Sequence, residues 1–334
     1  MEANYKKSLR KVRQYNYTFF KVLLVILLFL LVLLLSFICS KVFVPYLFKY
    51  KRSGLDQNNV ELNTLQQLET DVKAKKLKDF VINKSDLEES FIKFNNKEIS
   101  TLMLEHPTST KWVIGLHGFK RNKYIGLRNI YHFYQAGYNI LTFDAYAHGN
   151  TYGDKSDLGV TNSIILNFLI TWLKQNKDPS IIGVFGISMG ASTALWFAHQ
   201  FYYENKIDWL IVDCPFSQPV QQIRAFLQKY VKLPWWLISL GINRNFRKHS
   251  QTNLKTMNLL KENERLKDLP ILFIHGTKDS FVQYHNSVVM YYLQQQKSEI
   301  FLVNKAEHSG ALTVDQSGYQ QKTLAFAKKW DLSL

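Results

Sequence analysis

An apolar run, Ile181–Phe185, stands directly before the sequence Gly186-Ile187-Ser188-Met189-Gly190. The run predicts a buried strand, and the alanine-rich stretch Ala191–Ala198 predicts a helix that begins at once. A strand that turns into a helix without a loop forces the residue at the turn, Ser188, into a strained backbone conformation. The residues two positions before and after it must therefore be small, and both are glycine. The sequence predicts a sharp strand–turn–helix with a serine at its tip.

Two further polar side chains, Asp279 and His308, follow strand-like apolar runs in the last third of the chain. These runs are Ile271–Ile274 and Ile300–Val303. Because the active site of an open α/β sheet lies at the carboxyl ends of its strands, we expect both side chains to lie near Ser188. A serine needs a base to act as a nucleophile, and the base needs an acid to orient it. We therefore expect Ser188 as nucleophile, His308 as base and Asp279 as acid.

Asp213 is the alternative acid, because it also follows an apolar run, Trp209–Val212. A role in a turn or a helix cap is the competing interpretation for this residue. His117 and His148 lie in turn-like motifs, where we expect structural hydrogen bonds. The remaining histidines considered, which are His249, His275 and His285, have no partners at metal-ligand spacing. We therefore expect neither a metal site nor a cofactor.

From about Phe91 to Trp330 the chain resembles α/β-hydrolases of the serine esterase and lipase type. It is similar to bacterial, membrane-anchored members of the group that includes the BEM46-like hydrolases. The matching residues are His117-Gly118-Phe119, Asp144, His148-Gly149, Gly186–Gly190, Asp213–Ser217, His275-Gly276, Asp279 and His308. The order Ser188, Asp279, His308 is that of the family's catalytic triad. Two positions depart from the family pattern: the segment before His148 lacks the usual Arg-Gly, and Ala191 replaces a third glycine.

The resemblance implies an α/β-hydrolase fold, with a mostly parallel central sheet flanked by helices and a small helical cap. In this fold the oxyanion of the reaction is bound by two backbone N–H groups, which we expect from Met189 and Phe119. The cap is expected as an insertion at about 215–269, where Leu233-Pro234-Trp235-Trp236 interrupts the strand–helix alternation. Its rings either line an acyl pocket, contact lipid, or form the core of the cap itself.

The stretch Val22–Cys39 is apolar apart from Ser36, which is long enough to cross a bilayer. A cleaved signal peptide is the alternative, but its apolar core is shorter and a small-x-small cleavage site follows it. We expect a basic N-terminus at 1–21, a transmembrane anchor at 22–40, a linker or stalk at 41–79 and the hydrolase domain at 80–334. Within the stalk, leucines at helical spacing predict a short helix that either stands free or packs on the domain.

Six basic residues precede the apolar stretch and four follow it closely, which favours a cytoplasmic N-terminus and an extracellular catalytic domain. The formal net charge of +16 suggests nucleic acid at first. However, the sequence contains no zinc-ligand spacing, RNA-binding aromatic motif or compact arginine patch, so we expect no nucleic-acid partner. A basic surface near anionic lipid explains the charge more simply. The basic residues Lys120, Arg121 and Lys123 either attract an anionic substrate or form a solvated face.

These features together predict a membrane-anchored serine hydrolase that cleaves carboxylic esters, lipid-like or otherwise, through an acyl-enzyme. Two alternatives remain open. A peptidase or amidase uses the same scaffold, and a non-catalytic binding protein is the other possibility, although a binder has no need of all three triad groups.

Overall fold

The structure is a computed structural model that describes residues 1–232, 234–250, 252–261, 266–294 and 297–331. Eight strands of these residues form one sheet in the order β1-β2-β4-β3-β5-β6-β7-β8. The strand β2 is antiparallel to both of its neighbours, and the other pairs are parallel. The strands are β1 (Glu88–Phe94), β2 (Lys97–Leu104), β3 (Lys111–Leu116), β4 (Asn139–Phe143), β5 (Ile181–Ile187), β6 (Trp209–Asp213), β7 (Ile271–Gly276) and β8 (Ser298–Val303).

Helices cover both faces of the sheet, as a parallel sheet of apolar strands requires. The helices are α1 (Glu2–Phe48), α2 (Leu65–Ala74), α3 (Lys123–Gln135), α4 (Val160–Asn176), α5 (Met189–Phe201), α6 (Pro219–Phe226), α7 (Trp235–Ser250), α8 (His285–Leu293), α9 (Ala311–Val314) and α10 (Gln316–Trp330). Residues of β3 alternate between two cores: Trp112 and Ile114 pack with α4 and α5, whereas Val113 packs with α3 and α10. This architecture confirms the predicted fold class.

β1 and β2 form an antiparallel hairpin at the start of the sheet. Its turn consists of Asn95 and Asn96, whose φ angles are +47° and +59°. Both values lie in the left-handed region, which asparagine tolerates better than most residues, and two such residues are typical of a tight hairpin turn.

The first helix extends beyond the predicted anchor in both directions, from Glu2 to Phe48. Its apolar part is long and apolar enough to cross a membrane and is almost entirely exposed. Its last residues, Leu47 and Phe48, are buried in the core beside α4 and α5. The segment after α1 also binds to the domain, because the Arg52 guanidinium donates hydrogen bonds to three backbone carbonyls in the loop at residues 149–153. The residues predicted as a linker therefore begin as helix and then dock on the domain.

The predicted stalk helix forms as α2, and its position decides between the two interpretations. Leu68 is buried in the core beside α3 and α10, and the Asp71 carboxylate forms an ion pair with Arg128 of α3. The helix therefore packs on the domain rather than standing free.

Within the predicted cap, α7 runs parallel to α1 and packs closely against it. The backbone N–H of Gly241 donates to Ser36 Oγ at 3.0 Å, and Asn245 Nδ2 donates to Ser40 Oγ at 2.8 Å. A side chain at Gly241 would place its Cβ only 2.3 Å from the carbonyl oxygen of Ser36, so the close approach requires glycine. Towards the end of α1, the ring of Phe48 packs on that of Phe246, with the two ring centroids 5.4 Å apart.

The two tryptophans of the cap have different environments. Trp235 is partly buried against the core, whereas Trp236 is 64% exposed. The remaining expectations for the cap at Leu233, Gln251 and residues 262–265 lie outside the described residues.

Candidate active site

Ser188 lies at the turn between β5 and α5, with φ +54° and ψ −114°. This backbone conformation is strained for a residue with a side chain. The glycines on either side make the turn possible. A Cβ at Gly186 would lie 2.4 Å from the carbonyl oxygen of Gly190, and a Cβ at Gly190 would lie 2.4 Å from that of Leu116. The second glycine therefore also lets the loop after β3 approach Ser188.

Ser188, His308 and Asp279 form a continuous chain of hydrogen bonds. The Ser188 hydroxyl donates to His308 Nε2 at 2.8 Å, and His308 Nδ1–H donates to Asp279 Oδ2 at 2.7 Å. His308 reaches this position because the loop after β8 packs against the end of β7. A Cβ at Gly276 would lie 2.3 Å from the carbonyl oxygen of Ala306, so this contact also needs glycine.

The Asp279 carboxylate is held by four donors. Its Oδ1 accepts from the backbone N–H groups of Phe281 and Val282, at 2.9 and 2.8 Å. Its Oδ2 accepts from His308 and, at 3.2 Å, from His275 Nε2. Burial raises the pKa of Asp279, but the hydrogen bonds from His275 and His308 outweigh burial and hold it well below its usual range. The carboxylate is therefore ionised at neutral pH.

Asp213, the alternative acid, does not contact His308. Its Oδ2 accepts a hydrogen bond from the Tyr319 hydroxyl at 3.0 Å. Its Oδ1 has no partner among the described residues. Burial raises the pKa of Asp213 to about 6. The geometry therefore favours Asp279 as the residue that orients the histidine.

Two buried histidines hold the loop after β3, which carries Phe119. His117 Nδ1–H donates to the carbonyl of Gly118 at 2.8 Å, and its Nε2 accepts from the backbone N–H of Ala145 at 2.9 Å. His148 Nε2 accepts from the backbone N–H of Lys120 at 3.3 Å. Burial lowers the pKa of both rings, which keeps them neutral and able to accept these bonds. This arrangement agrees with the structural role expected for them.

Met189 directly follows Ser188 in the chain, and Phe119 follows Gly118, where a Cβ would lie 3.4 Å from the Cβ of Ser188. Across the described part of the chain, neither the backbone N–H of Phe119 nor that of Met189 has a hydrogen-bond acceptor. Met189 is also the first residue of α5, where the helix dipole favours negative charge. Both groups therefore remain available to a developing anion.

A cavity of about 380 Å³ opens over Ser188 and His308. One part of its wall is apolar and includes Leu47 of α1, Met189, Phe216, Ile223 and Phe226. Another part is basic and contains Lys75, Lys120, Arg121 and Arg128. The cavity is large enough for a small ligand, and its wall combines an apolar part with a basic part.

Cys214, Asp279 and His308 place three potential ligand atoms within 4.8 Å of one another. However, both ring nitrogens of His308 and both oxygens of Asp279 already have hydrogen-bond partners. Burial also raises the pKa of the Cys214 thiol well above its usual value, which keeps it protonated. These groups therefore do not suit a metal ion, because cysteine binds a metal as its thiolate and the other ligand atoms need free lone pairs.

The family model described as alpha/beta hydrolase fold matches residues 111–249. Protein YqkD of Bacillus subtilis (strain 168) is 25% identical over 221 residues, which are 64% of this chain and 70% of that protein. The lysophosphatidylserine lipase ABHD12 of Danio rerio is 24% identical over 170 residues, which are 49% of this chain and only 41% of that lipase. The Pyrococcus furiosus esterase Pf2001 superposes with a TM-score of 0.61 at 23% identity, covering 84% of this chain and 99% of the esterase.

The family model, the solved structure and the strand order agree. The chain has the α/β-hydrolase fold. Ala147, at one of the two positions expected to depart from the family pattern, adopts φ +60°.

Several contributors to the candidate site, among them Arg128, are absent from the sequence-based prediction. His275 supports Asp279, and the spacing of four residues between them was the available signal. Lys75 and Leu47 reach the cavity from α2 and α1, and no local pattern marks them. Of the three basic residues expected beside the oxyanion loop, Lys120 and Arg121 line the cavity. Lys123 is buried instead, in an ion pair with Glu89 at 2.7 Å.

Proposed function

We propose that this α/β-hydrolase is a serine hydrolase that cleaves carboxylic esters through an acyl-enzyme. The observation that supports the proposal is the hydrogen-bonded chain from Ser188 through His308 to Asp279, at 2.8 and 2.7 Å, beneath an open cavity. In this proposal Ser188 is the nucleophile, His308 the general base and acid, and Asp279 the group that fixes the tautomer of His308.

The reaction follows from this geometry. His308 Nε2 takes the proton of Ser188 as its Oγ attacks the ester carbonyl carbon, and Asp279 stabilises the imidazolium. The negative charge on the former carbonyl oxygen is accepted by the backbone N–H groups of Phe119 and Met189. His308 then protonates the departing alcohol oxygen. A water molecule, activated by the same nitrogen, attacks the acyl-enzyme and releases the acid.

An ester with an apolar acyl chain fits the cavity best. Leu47, Phe216, Ile223 and Phe226 offer an apolar wall to such a chain. The relative ABHD12 is a lysophosphatidylserine lipase by name, and Pf2001 is an esterase, which is consistent with an ester substrate. We propose a lipid-like ester as the substrate class.

We further propose that α1 anchors the enzyme in a membrane through residues 22–40, with residues 1–21 in the cytoplasm and the hydrolase domain, residues 80–334, outside. The exposed apolar surface of α1 supports the anchor, and the larger number of basic residues before the span supports the orientation. The charge difference is small, so the orientation needs its own experiment.

Fluorophosphonate labelling of the full-length protein tests the chemistry. Ser188→Ala is expected to abolish labelling and ester hydrolysis, and His308→Ala to reduce both nearly as much, because triad residues act as a unit. Ser163→Ala is the matched control: among the described residues its buried hydroxyl bonds only to the carbonyl of Val160 within its own helix, outside the cavity. Undiminished hydrolysis by folded Ser188→Ala protein contradicts the mechanism. Parallel assays with an ester and the amide of the same acyl chain separate an esterase from an amidase.

Protease treatment of intact cells or spheroplasts tests the orientation. Digestion of the hydrolase domain without lysis is the expected result. A domain digested only after lysis contradicts the orientation, and a mature protein that begins beyond Cys39 contradicts the anchor itself.

A further inference from the structure

One end of the cavity brings three cationic side chains together, from the C-cap of α2, from α3 and from the loop before α3. They are Lys75, Arg121 and Arg128. Arg128 is almost fully buried, and its guanidinium bonds to Asp71 Oδ2 at 2.5 Å and to Asn129 Oδ1 at 3.1 Å. Its charge is therefore balanced by one carboxylate.

The other two cations have no such balance. Within the described ranges, no hydrogen bond or ion pair reaches the side chain of Lys75 or of Arg121. The described residues that line the cavity include no aspartate or glutamate. The carboxylate whose charge acts on both Lys75 and Arg121 is Asp71, and Asp71 already forms an ion pair with Arg128. This end of the cavity therefore carries an excess of about two positive charges.

Placing like charges together in a protein wall is unfavourable. Burial, and after it the charge of Arg128, lowers the pKa of both Lys75 and Arg121, although Arg121 also contacts solvent. Such an arrangement destabilises the fold unless a counter-charge arrives. Lys75 is half-buried and Arg121 exposed, so both are accessible to a molecule that enters the cavity.

We propose that Lys75, Arg121 and Arg128 bind a phosphate group on the substrate of this hydrolase. This inference rests on the proposed function, because it assigns the phosphate to the leaving-group side of the ester that Ser188 attacks. Two guanidinium groups with an ammonium match the oxygens of a phosphate, to which arginine can donate two parallel hydrogen bonds. The excess of positive charge also matches the charge of a phosphate monoester or diester. The apolar wall then takes the acyl chain, and the two features together define an acyl ester of a phosphorylated alcohol.

A pair of substrates that differ only in the phosphate tests the subsite. These are a monoacylglycerol and the same monoacylglycerol carrying a phosphate on its terminal hydroxyl. For the full-length protein in neutral detergent we expect kcat/KM to be about tenfold or more higher for the phosphate-bearing ester, as hydrogen bonds to charged groups allow. Arg121→Met and Lys75→Met should each bring the ratio toward one, mainly through KM, and Arg121→Lys should restore part of it. Lys73→Met is the control: it removes an exposed charge from the same helix, outside the cavity, and should leave the ratio unchanged.

Equal kcat/KM values for both esters, or a ratio that Arg121→Met and Lys75→Met leave unchanged, overturn the subsite. Glycerol 3-phosphate and inorganic phosphate distinguish a headgroup site from a site for free phosphate. Inhibition by the first alone supports recognition of a substrate headgroup, whereas equal inhibition by both contradicts it. If the wild type hydrolyses neither ester and is not labelled by a fluorophosphonate, the proposed function fails. Calorimetric titration of Ser188→Ala protein with glycerol 3-phosphate still decides the subsite in that case.

Discussion

Replacing Asp213 by asparagine should stabilise the protein at neutral pH and leave catalysis in place. The carboxyl is buried at the end of β6, with one oxygen bonded to Tyr319 and the other without a partner in the described structure. Burial raises its pKa from 3.8 to about 6. A shift of about two pKa units corresponds to about 3 kcal/mol of unfavourable free energy when the group is ionised.

The pH dependence has a definite sign. Because the folded state holds this proton more tightly than the unfolded chain, stability falls as the pH rises from about 4 to about 6 and stays reduced above that. Asparagine carries no charge, and its oxygen can still accept from Tyr319, while its amide hydrogens lack acceptors. We therefore expect Asp213→Asn to raise the free energy of unfolding by about 1–3 kcal/mol near pH 7.5, with the gain disappearing near pH 4.

Asp279→Asn is the matched comparison, because the pKa of Asp279 is lowered whereas that of Asp213 is raised. Its ionised form stabilises the folded state above the unfolded pKa, and this contribution is lost as the pH falls through the acid range. This variant should be destabilised at neutral pH and should lose turnover by orders of magnitude through the wrong histidine tautomer.

Denaturant unfolding of the full-length protein in detergent at both pH values, with fluorophosphonate labelling alongside, measures these effects. The reasoning is refuted if Asp213→Asn is destabilised equally at both pH values. If Asp213→Asn loses labelling while Asp279→Asn retains it, the acid role belongs to Asp213.

Three further substitutions test local features of the fold. Ala147→Gly should stabilise the protein by about 1 kcal/mol in denaturant unfolding, because the residue has φ +60°, and a destabilised variant would contradict this. Gly241→Leu should lower stability by about 1–3 kcal/mol, since its side chain meets the backbone of α1, and an unchanged midpoint would argue against the packing of α1 on α7. Gly190→Ala should reduce kcat by about a hundredfold by displacing the loop that carries Phe119, and normal turnover would show that the loop does not need this approach.

The sequence predicts β5, β6, β7 and β8 because each contains a short apolar run. The same strand ends indicate Ser188, Asp279 and His308, which lie far apart in the chain; in the fold, Ser188 and Asp279 both hydrogen-bond to His308. Parallel strands bring their carboxyl ends together whatever the residues between them, so this inference needs only local patterns.

Contacts between separate helices were not predictable in the same way. Lys75 faces the cavity because α2 docks on α3, and the ion pair between Asp71 and Arg128 that accompanies this docking spans 57 residues. The approach of Gly241 to Ser36 depends on a match between two surfaces that neither segment shows alone. Leu47 and Phe48, in the segment predicted as a linker, are buried by helices that lie far from them in the sequence, which no local pattern indicates.

Because α1 is one continuous helix, it fixes the distance between its apolar stretch and the cavity. Leu47, in the cavity wall, lies eight residues beyond Cys39, a rise of about 12 Å along a helix. Contacts with α7 hold the helix on both sides of Pro45, through Ser40 before it and Phe48 after it. The distance between the apolar stretch and the cavity, and their relative rotation about the helix axis, are therefore fixed. Each residue inserted into α1 between them would move the cavity about 1.5 Å further from the apolar stretch and rotate it by about 100° about the helix axis.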